Sequence, residues 1–206
     1  ANVMCQLSGS LQRDSVPKLS RIGRSAVTRC SRASCGGTIA ANRRLMPLKV
    51  PWAAMFNLER IGRGLPVADV IDRLPMAGPL VVEAPPGTGK TTLVPPAIAN
   101  LTHAAGKTVV TAPRRVAVRA AARRLRELAL PDSSLPADAV GFSIRGEHQA
   151  GSLVEFVTPG VLLNRLLKDP DLEGVGAVVI DEVHERQLDT DLVLAMCMEV
   201  ALLRDD

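Results

Sequence analysis

The stretch Val81-Val82-Glu83-Ala84-Pro85-Pro86-Gly87-Thr88-Gly89-Lys90-Thr91-Thr92 decides how this chain is read. A short apolar run enters a Pro/Gly loop, and the loop ends in Gly-Lys-Thr-Thr at the start of a helical pattern. That is the layout of a phosphate cradle. A strand fixes the loop, glycines let backbone N–H groups close on an anion, and a helix N-terminus adds partial positive charge. Gly87, Thr88, Gly89, Lys90, Thr91 and Thr92 are expected to bind the nucleotide, with Lys90 on the terminal phosphates and the Thr91 hydroxyl on Mg2+. Ala84 stands at the first position of the pattern, where Gly is usual.

A phosphate loop needs carboxylates. Mg2+ takes oxygen ligands, and hydrolysis needs a group that positions water. Gly176-Ala177-Val178-Val179-Ile180 is a continuous apolar run ending in Asp181-Glu182, which reads as a central parallel strand with acids at its C-terminal edge. Asp181 is expected to hold Mg2+ through water, and Glu182 to polarise the attacking water.

Outward from these two stretches, strands and helices alternate. Leu65 to Leu74 reads as a short surface helix and Leu80 to Glu83 as the strand before the loop. The helix after the loop carries Pro95-Pro96 in its first two turns, so it should bend or shorten. Thr108 to Ala112 reads as a strand, then a helix to about Leu130 whose polar face carries Arg115, Arg119, Arg123 and Arg126. Strand-like runs at Val140–Ile144 and Leu153–Val157, a helix from Thr158 to about Leu167 and a last helix from Asp191 to Leu203 complete the pattern. The expected fold class is α/β: a mostly parallel sheet with helices on both faces.

Composition bounds the rest. With 206 residues the chain can bury one α/β core, and no apolar run is long enough for a membrane span. The net charge of +4 is unevenly placed: residues 1–54 carry nine Lys/Arg and one acid, whereas residues 55–206 carry 16 basic and 20 acidic side chains. The basic balance is therefore no argument that the globular part binds nucleic acid. Residues 1–54 read as a basic, disordered tail, a targeting segment, or upstream sequence outside the working protein with Met55 as its natural start. The third reading is favoured, and a chain beginning at Met55 is expected to fold and bind nucleotide like the full one. Cys30 and Cys35 lack a second pair, so zinc is not expected, and the four cysteines fit a reduced, cytoplasmic protein.

Asp181-Glu182-Val183-His184-Glu185-Arg186 resembles the signature of DEAH/DExH-type superfamily 2 helicases. Thr111-Ala112-Pro113-Arg114-Arg115-Val116-Ala117 looks like motif Ia of that family. Thr158-Pro159-Gly160 with Leu162 and Leu163 looks like motif Ib. The flanks Leu172–Gly176 and Gln187–Asp191 look most like the bacterial HrpB-type branch. The resemblance spans about Phe56 to Asp206.

It implies a RecA-like domain at residues 55–206 that binds ATP and Mg2+, with Lys90, Asp181, Glu182 and His184 as catalytic residues. His184 would couple the nucleotide site to later motifs. Arg114, Arg115 and Thr158 would contact the backbone of nucleic acid, RNA in preference to DNA, and Arg124 would lie against adenine. The rest of the arginine face is expected to be solvated. Gly146 replaces a usual aromatic, and aromatic side chains are few (Trp52, Phe56, Phe142, Phe156), so no base-stacking platform is visible. The sequence stops at Asp206, before the Ser-Ala-Thr motif and the second RecA-like domain that supplies arginine fingers in this family. The function expected is the ATP-binding motor domain of an ATP-dependent helicase, the fragment itself being weak or inactive. The alternative is a non-catalytic, nucleotide-dependent binding module.

Overall fold

A computed structural model describes residues 3–9, 18–21, 55–74, 78–129 and 134–203. Its elements run β1 (Val3–Gly9), β2 (Lys18–Arg21), α1 (Leu58–Ile61), α2 (Ala68–Ile71), β3 (Gly78–Ala84), α3 (Lys90–Thr102), β4 (Lys107–Thr111), α4 (Arg115–Ala129), β5 (Val140–Ile144), β6 (Glu147–Gln149), β7 (Val154–Val157), α5 (Pro159–Lys168), β8 (Val175–Ile180), a 3-10 turn (Val183–Glu185) and α6 (Leu188–Leu203). The strands form one sheet in the order β2-β3-β1-β8-β4-β7-β5-β6. Every pairing from β3 to β5 is parallel, and antiparallel β2 and β6 close the two edges.

Alternating side chains of the central strands feed two cores. Val82, Val110, Phe156, Ala177 and Val179 pack with α1–α4 on one face. Val109, Val157, Val178 and Ile180 pack with α5 and α6 on the other. A strand buried on both sides has no polar face to show, which is why β8 reads as an uninterrupted apolar run. The architecture is the mostly parallel, RecA-like α/β fold expected. No helix of the described residues is long and apolar enough to cross a membrane.

One local reading changes. α3 is not shortened by Pro95 and Pro96; it continues to Thr102, with both prolines buried. α3 is buried along most of its length, and that burial rather than local propensity carries it past the two prolines. Within the segment read as a tail, residues 3–9 and 18–21 are strands. β1 lies between β3 and β8, parallel to both, with Leu7 opposite Val82 and Gln6 opposite both Val81 and Ile180. β2 pairs with the outer side of β3. The remainder of residues 1–54, including Cys30, Cys35 and Trp52, lies outside the described residues.

A buried ion network ties the sheet to α5. Glu155 on β7 is 1% exposed and meets Lys107 Nζ at 2.6 Å and Arg165 Nη1 at 3.0 Å, with Arg165 Nη2 on its second oxygen. Burial pushes the Glu155 carboxyl up, but the hydrogen bonds and charges of Arg165 and Lys107 outweigh it and hold the group below the ordinary range. The network fixes α5, and therefore Thr158 at its N-terminus, relative to β4.

Candidate functional site

β3 delivers the chain to the loop at the C-terminal edge of the sheet. Gly87 and Gly89 both take left-handed backbone, at φ 80° and 88°, which lets the loop wrap back to start α3 at Lys90. Within the loop, the Thr88 N–H and hydroxyl both donate to the Pro85 carbonyl, at 3.4 and 2.8 Å. Lys90 is 6% exposed at the first position of α3. Thr91 and Thr92 follow in the first turn, half-buried.

The acidic strand end meets this loop directly. The Thr91 hydroxyl donates to Asp181 Oδ2 at 2.6 Å, and the Asp181 N–H donates to the Thr111 carbonyl at 3.1 Å. Asp181 is 3% exposed. Burial pushes its carboxyl up and the Glu182 charge adds to this, while the Thr91 hydroxyl, the Glu182 N–H and Lys90 oppose it; the net shift is upward. A buried carboxylate raised in this way favours a cation next to it. A threonine that spends its hydrogen on Asp181 keeps its oxygen lone pairs for that cation. Among the described residues no group of three or more His, Cys, Asp or Glu could hold a metal. Two protein oxygens plus water and phosphate is the way Mg2+ is usually held. The residues fit the ion.

Glu182 adopts left-handed backbone, φ 54° and ψ 34°, rare for a residue with a side chain. The twist turns the chain out of β8 into the 3-10 turn and leaves the Glu182 carboxylate half-exposed, with Oε2 3.3 Å from His184 Nδ1. A half-exposed carboxylate next in sequence to a buried one is chemically able to polarise a water.

The sites assigned to nucleic acid line the same edge. Arg114 is 74% exposed and stands 3.6 Å from Glu185 of the 3-10 turn. Arg115 is exposed and donates to the Arg145 carbonyl at the β5–β6 turn. Thr158 caps α5 through its backbone, its hydroxyl making no capping hydrogen bond. Arg124 is exposed on α4, about 13 Å along the helix axis from Arg115. No hydrogen bond or ion pair among the described residues brings it to the phosphate loop.

The remaining arginine face is less solvated than expected. Arg119 pairs with Glu147 on β6, and Arg126 donates to the Val140 carbonyl at 2.9 Å, so the face binds α4 to the β5–β6 hairpin. Arg123 alone follows the expectation, paired with Glu127 along an exposed surface. Phe56 and Phe156 are fully buried and Phe142 is partly buried against the same core. Among the described residues, then, no phenylalanine is free to stack on a base.

Residues 68–195 match the family model described as DEAD/DEAH box helicase. The chain belongs to that family. It is 40% identical over 149 residues to the ATP-dependent RNA helicase HrpB of Escherichia coli, covering 69% of this chain and 18% of the relative. A putative pre-mRNA-splicing factor ATP-dependent RNA helicase of Schizosaccharomyces pombe is 34% identical over 124 residues, covering 58% of this chain and 19% of the relative. The crystal structure of Escherichia coli DEAH/RHA helicase HrpB superposes with a TM-score of 0.59 at 40% identity, over 69% of this chain and 19% of that one. The HrpB-type DExH resemblance seen in the motifs is the one these matches bear out. The chain thus spans about a fifth of the length of those relatives.

Proposed function

We propose that this domain binds ATP with Mg2+ and forms one half of the hydrolytic site of an ATP-dependent RNA helicase acting in the cytoplasm. The observation that carries the reading is the Thr91–Asp181 hydrogen bond at 2.6 Å, which brings the phosphate loop and the acidic strand end into one site. Lys90 and the N–H groups of the loop and first turn of α3 bind the phosphates. Thr91 and Asp181 would hold Mg2+, whose charge, when bound, neutralises phosphate oxygens during transfer. Glu182 orients the water and takes its proton, and His184, beside Glu182, senses that change and transmits it along the 3-10 turn.

Arg114, Arg115 and Thr158 place phosphate contacts on the same edge, which position a strand without reading its sequence. RNA is favoured because the relatives are RNA helicases. Arg124 is assigned to the adenine side of the nucleotide by the family resemblance alone. Complete turnover draws on a second RecA-like domain for its arginine fingers, an effect of about 10³–10⁵ in rate, so the 206-residue chain is expected to bind nucleotide and turn it over slowly.

The test is titration of the 206-residue chain with a fluorescent ATP analogue, with and without Mg2+, beside Lys90→Ala. Mg2+-dependent binding lost in the variant supports the reading. Binding indifferent to both Mg2+ and Lys90 removes it.

A further inference from the structure

The phosphate loop is held from outside by a segment to which no role has been given. Residues 62–67 join α1 to α2 and run against the loop. The Val67 N–H donates to the Thr88 carbonyl at 3.2 Å. The Leu65 side chain covers Gly89 so closely that a Cβ there would stand 2.6 Å from Leu65 Cδ1 and 2.9 Å from Cδ2.

The segment is itself pinned by hydrogen bonds and packing. The Leu65 N–H donates to the Gly62 carbonyl at 2.9 Å and the Ala68 N–H to the Leu65 carbonyl at 3.0 Å. Gly62 packs on α3, where an added Cβ would meet Leu93 Cδ2 at 2.9 Å. Upstream, Asn100 clamps Phe56 by accepting from its N–H at 3.0 Å and donating to its carbonyl at 2.9 Å. The Arg60 guanidinium donates to the Ala129 carbonyl at 2.8 Å. Val67 is fully buried. The segment is a strap anchored in the core at both ends.

What the strap holds matters. The Thr88 carbonyl and the Gly89 N–H belong to one trans peptide and point in opposite directions. Tying the carbonyl to Val67, outside the loop, turns the Gly89 N–H toward the inside, where phosphate binds. The peptide before a glycine flips readily, because glycine accepts φ of either sign. The hydrogen bonds from Thr88 to Pro85 orient the preceding peptide and leave this one to the strap.

We propose that Leu65 and Val67 are positioning residues for the nucleotide site: they hold the Thr88–Gly89 peptide so that its N–H faces the phosphates. They touch no ligand and act through that peptide. The proposal rests on the reading of residues 84–92 as the phosphate site.

The test uses the 206-residue chain, the fluorescent nucleotide with Mg2+, and Leu65→Ala, Leu65→Val and Leu65→Met. Leu65→Ala is expected to weaken binding about tenfold, equivalent to about 1.4 kcal/mol, and Leu65→Met to restore it. The Gly89 amide resonance, which a purely structural loss would leave responsive, should move less on adding ADP to Leu65→Ala than to the parent. Should Leu65→Ala fail to fold, Leu65→Val is read by the same two criteria. Affinity within twofold of the parent, with an unchanged Gly89 response, overturns the proposal while the phosphate site stands. A parent that binds no better than Lys90→Ala overturns the phosphate site and the strap with it.

Discussion

The Thr91 hydroxyl donates to Asp181 Oδ2 at 2.6 Å, across 90 residues of sequence, from the first turn of a helix to the end of a strand. Asp181 pays for this position by being buried, with its carboxyl pushed above the ordinary range. Replacing it with Asn keeps an oxygen for Thr91 and removes the buried charge. Asp181→Asn should therefore raise the melting temperature in metal-free buffer while cutting the Mg2+-dependent gain in nucleotide affinity at least about tenfold. Thermal melts and nucleotide titrations on the same protein check both, and a variant that keeps the full Mg2+ effect contradicts the assignment.

Glu182 is assigned to water rather than to the nucleotide, so Glu182→Gln should bind ATP as the parent does. Its slow turnover should fall by about 10²-fold or more, the scale of a lost general base. Single-turnover hydrolysis beside a binding titration separates the two. Equal hydrolysis by parent and variant would favour the non-catalytic reading of the domain.

Arg114 and Arg115 test the nucleic-acid edge. The ion pair of Arg114 with Glu185 lies on the surface and is worth about 0–1 kcal/mol, so a phosphate can displace it cheaply. Arg114→Ala should weaken RNA binding without regard to sequence and lower the salt slope of binding by about one. Fluorescence anisotropy with several unrelated single strands, at stepped salt, reads this. A sequence-dependent loss would show that Arg114 contacts bases.

Glu155 predicts an acid-sensitive stability. Its folded carboxyl titrates below the reference value of 4.5, so its contribution is complete above that pH. That contribution is lost as pH falls through the lower, folded value. Glu155→Gln should cost about 3–5 kcal/mol at neutral pH, as when one partner of a buried ion pair is removed. The gap between parent and variant melting temperatures should narrow below pH 4.5. A constant gap down to the acid limit would show that packing, not charge, is lost.

What could be read in the sequence follows from burial. Val178-Val179-Ile180-Asp181-Glu182 and the Gly-Lys-Thr loop carry local signatures, because a strand buried on both faces must be apolar throughout and a phosphate loop needs its glycines. The contacts that join distant segments left no such mark. Arg119 and Arg126 sit on a polar helix face and look like any solvated arginine until β5 and β6 fold beneath them. Leu65 and Val67 looked like part of a surface helix, and only the fold lays their segment along the loop. β1 was missed for a related reason: Gln6 and Ser8 interrupt its apolar residues, so Val3–Gly9 does not resemble a strand from the middle of a parallel sheet.

That strand also sets a length. Because β1 lies between β3 and β8, the strands feeding the phosphate loop and Asp181 are held two strand spacings apart, about 9.6 Å. The segment that does the spacing comes from a part of the chain remote from both. A chain begun at Met55 would lack this shim, and either the two strands close by about 4.8 Å or another strand must fill the slot. The hydrogen bond from Thr91 to Asp181 tolerates only a few tenths of an ångström. The ruler for the candidate site is thus a separate piece of chain, and exchanging that piece is a way to put the site in or out of gauge.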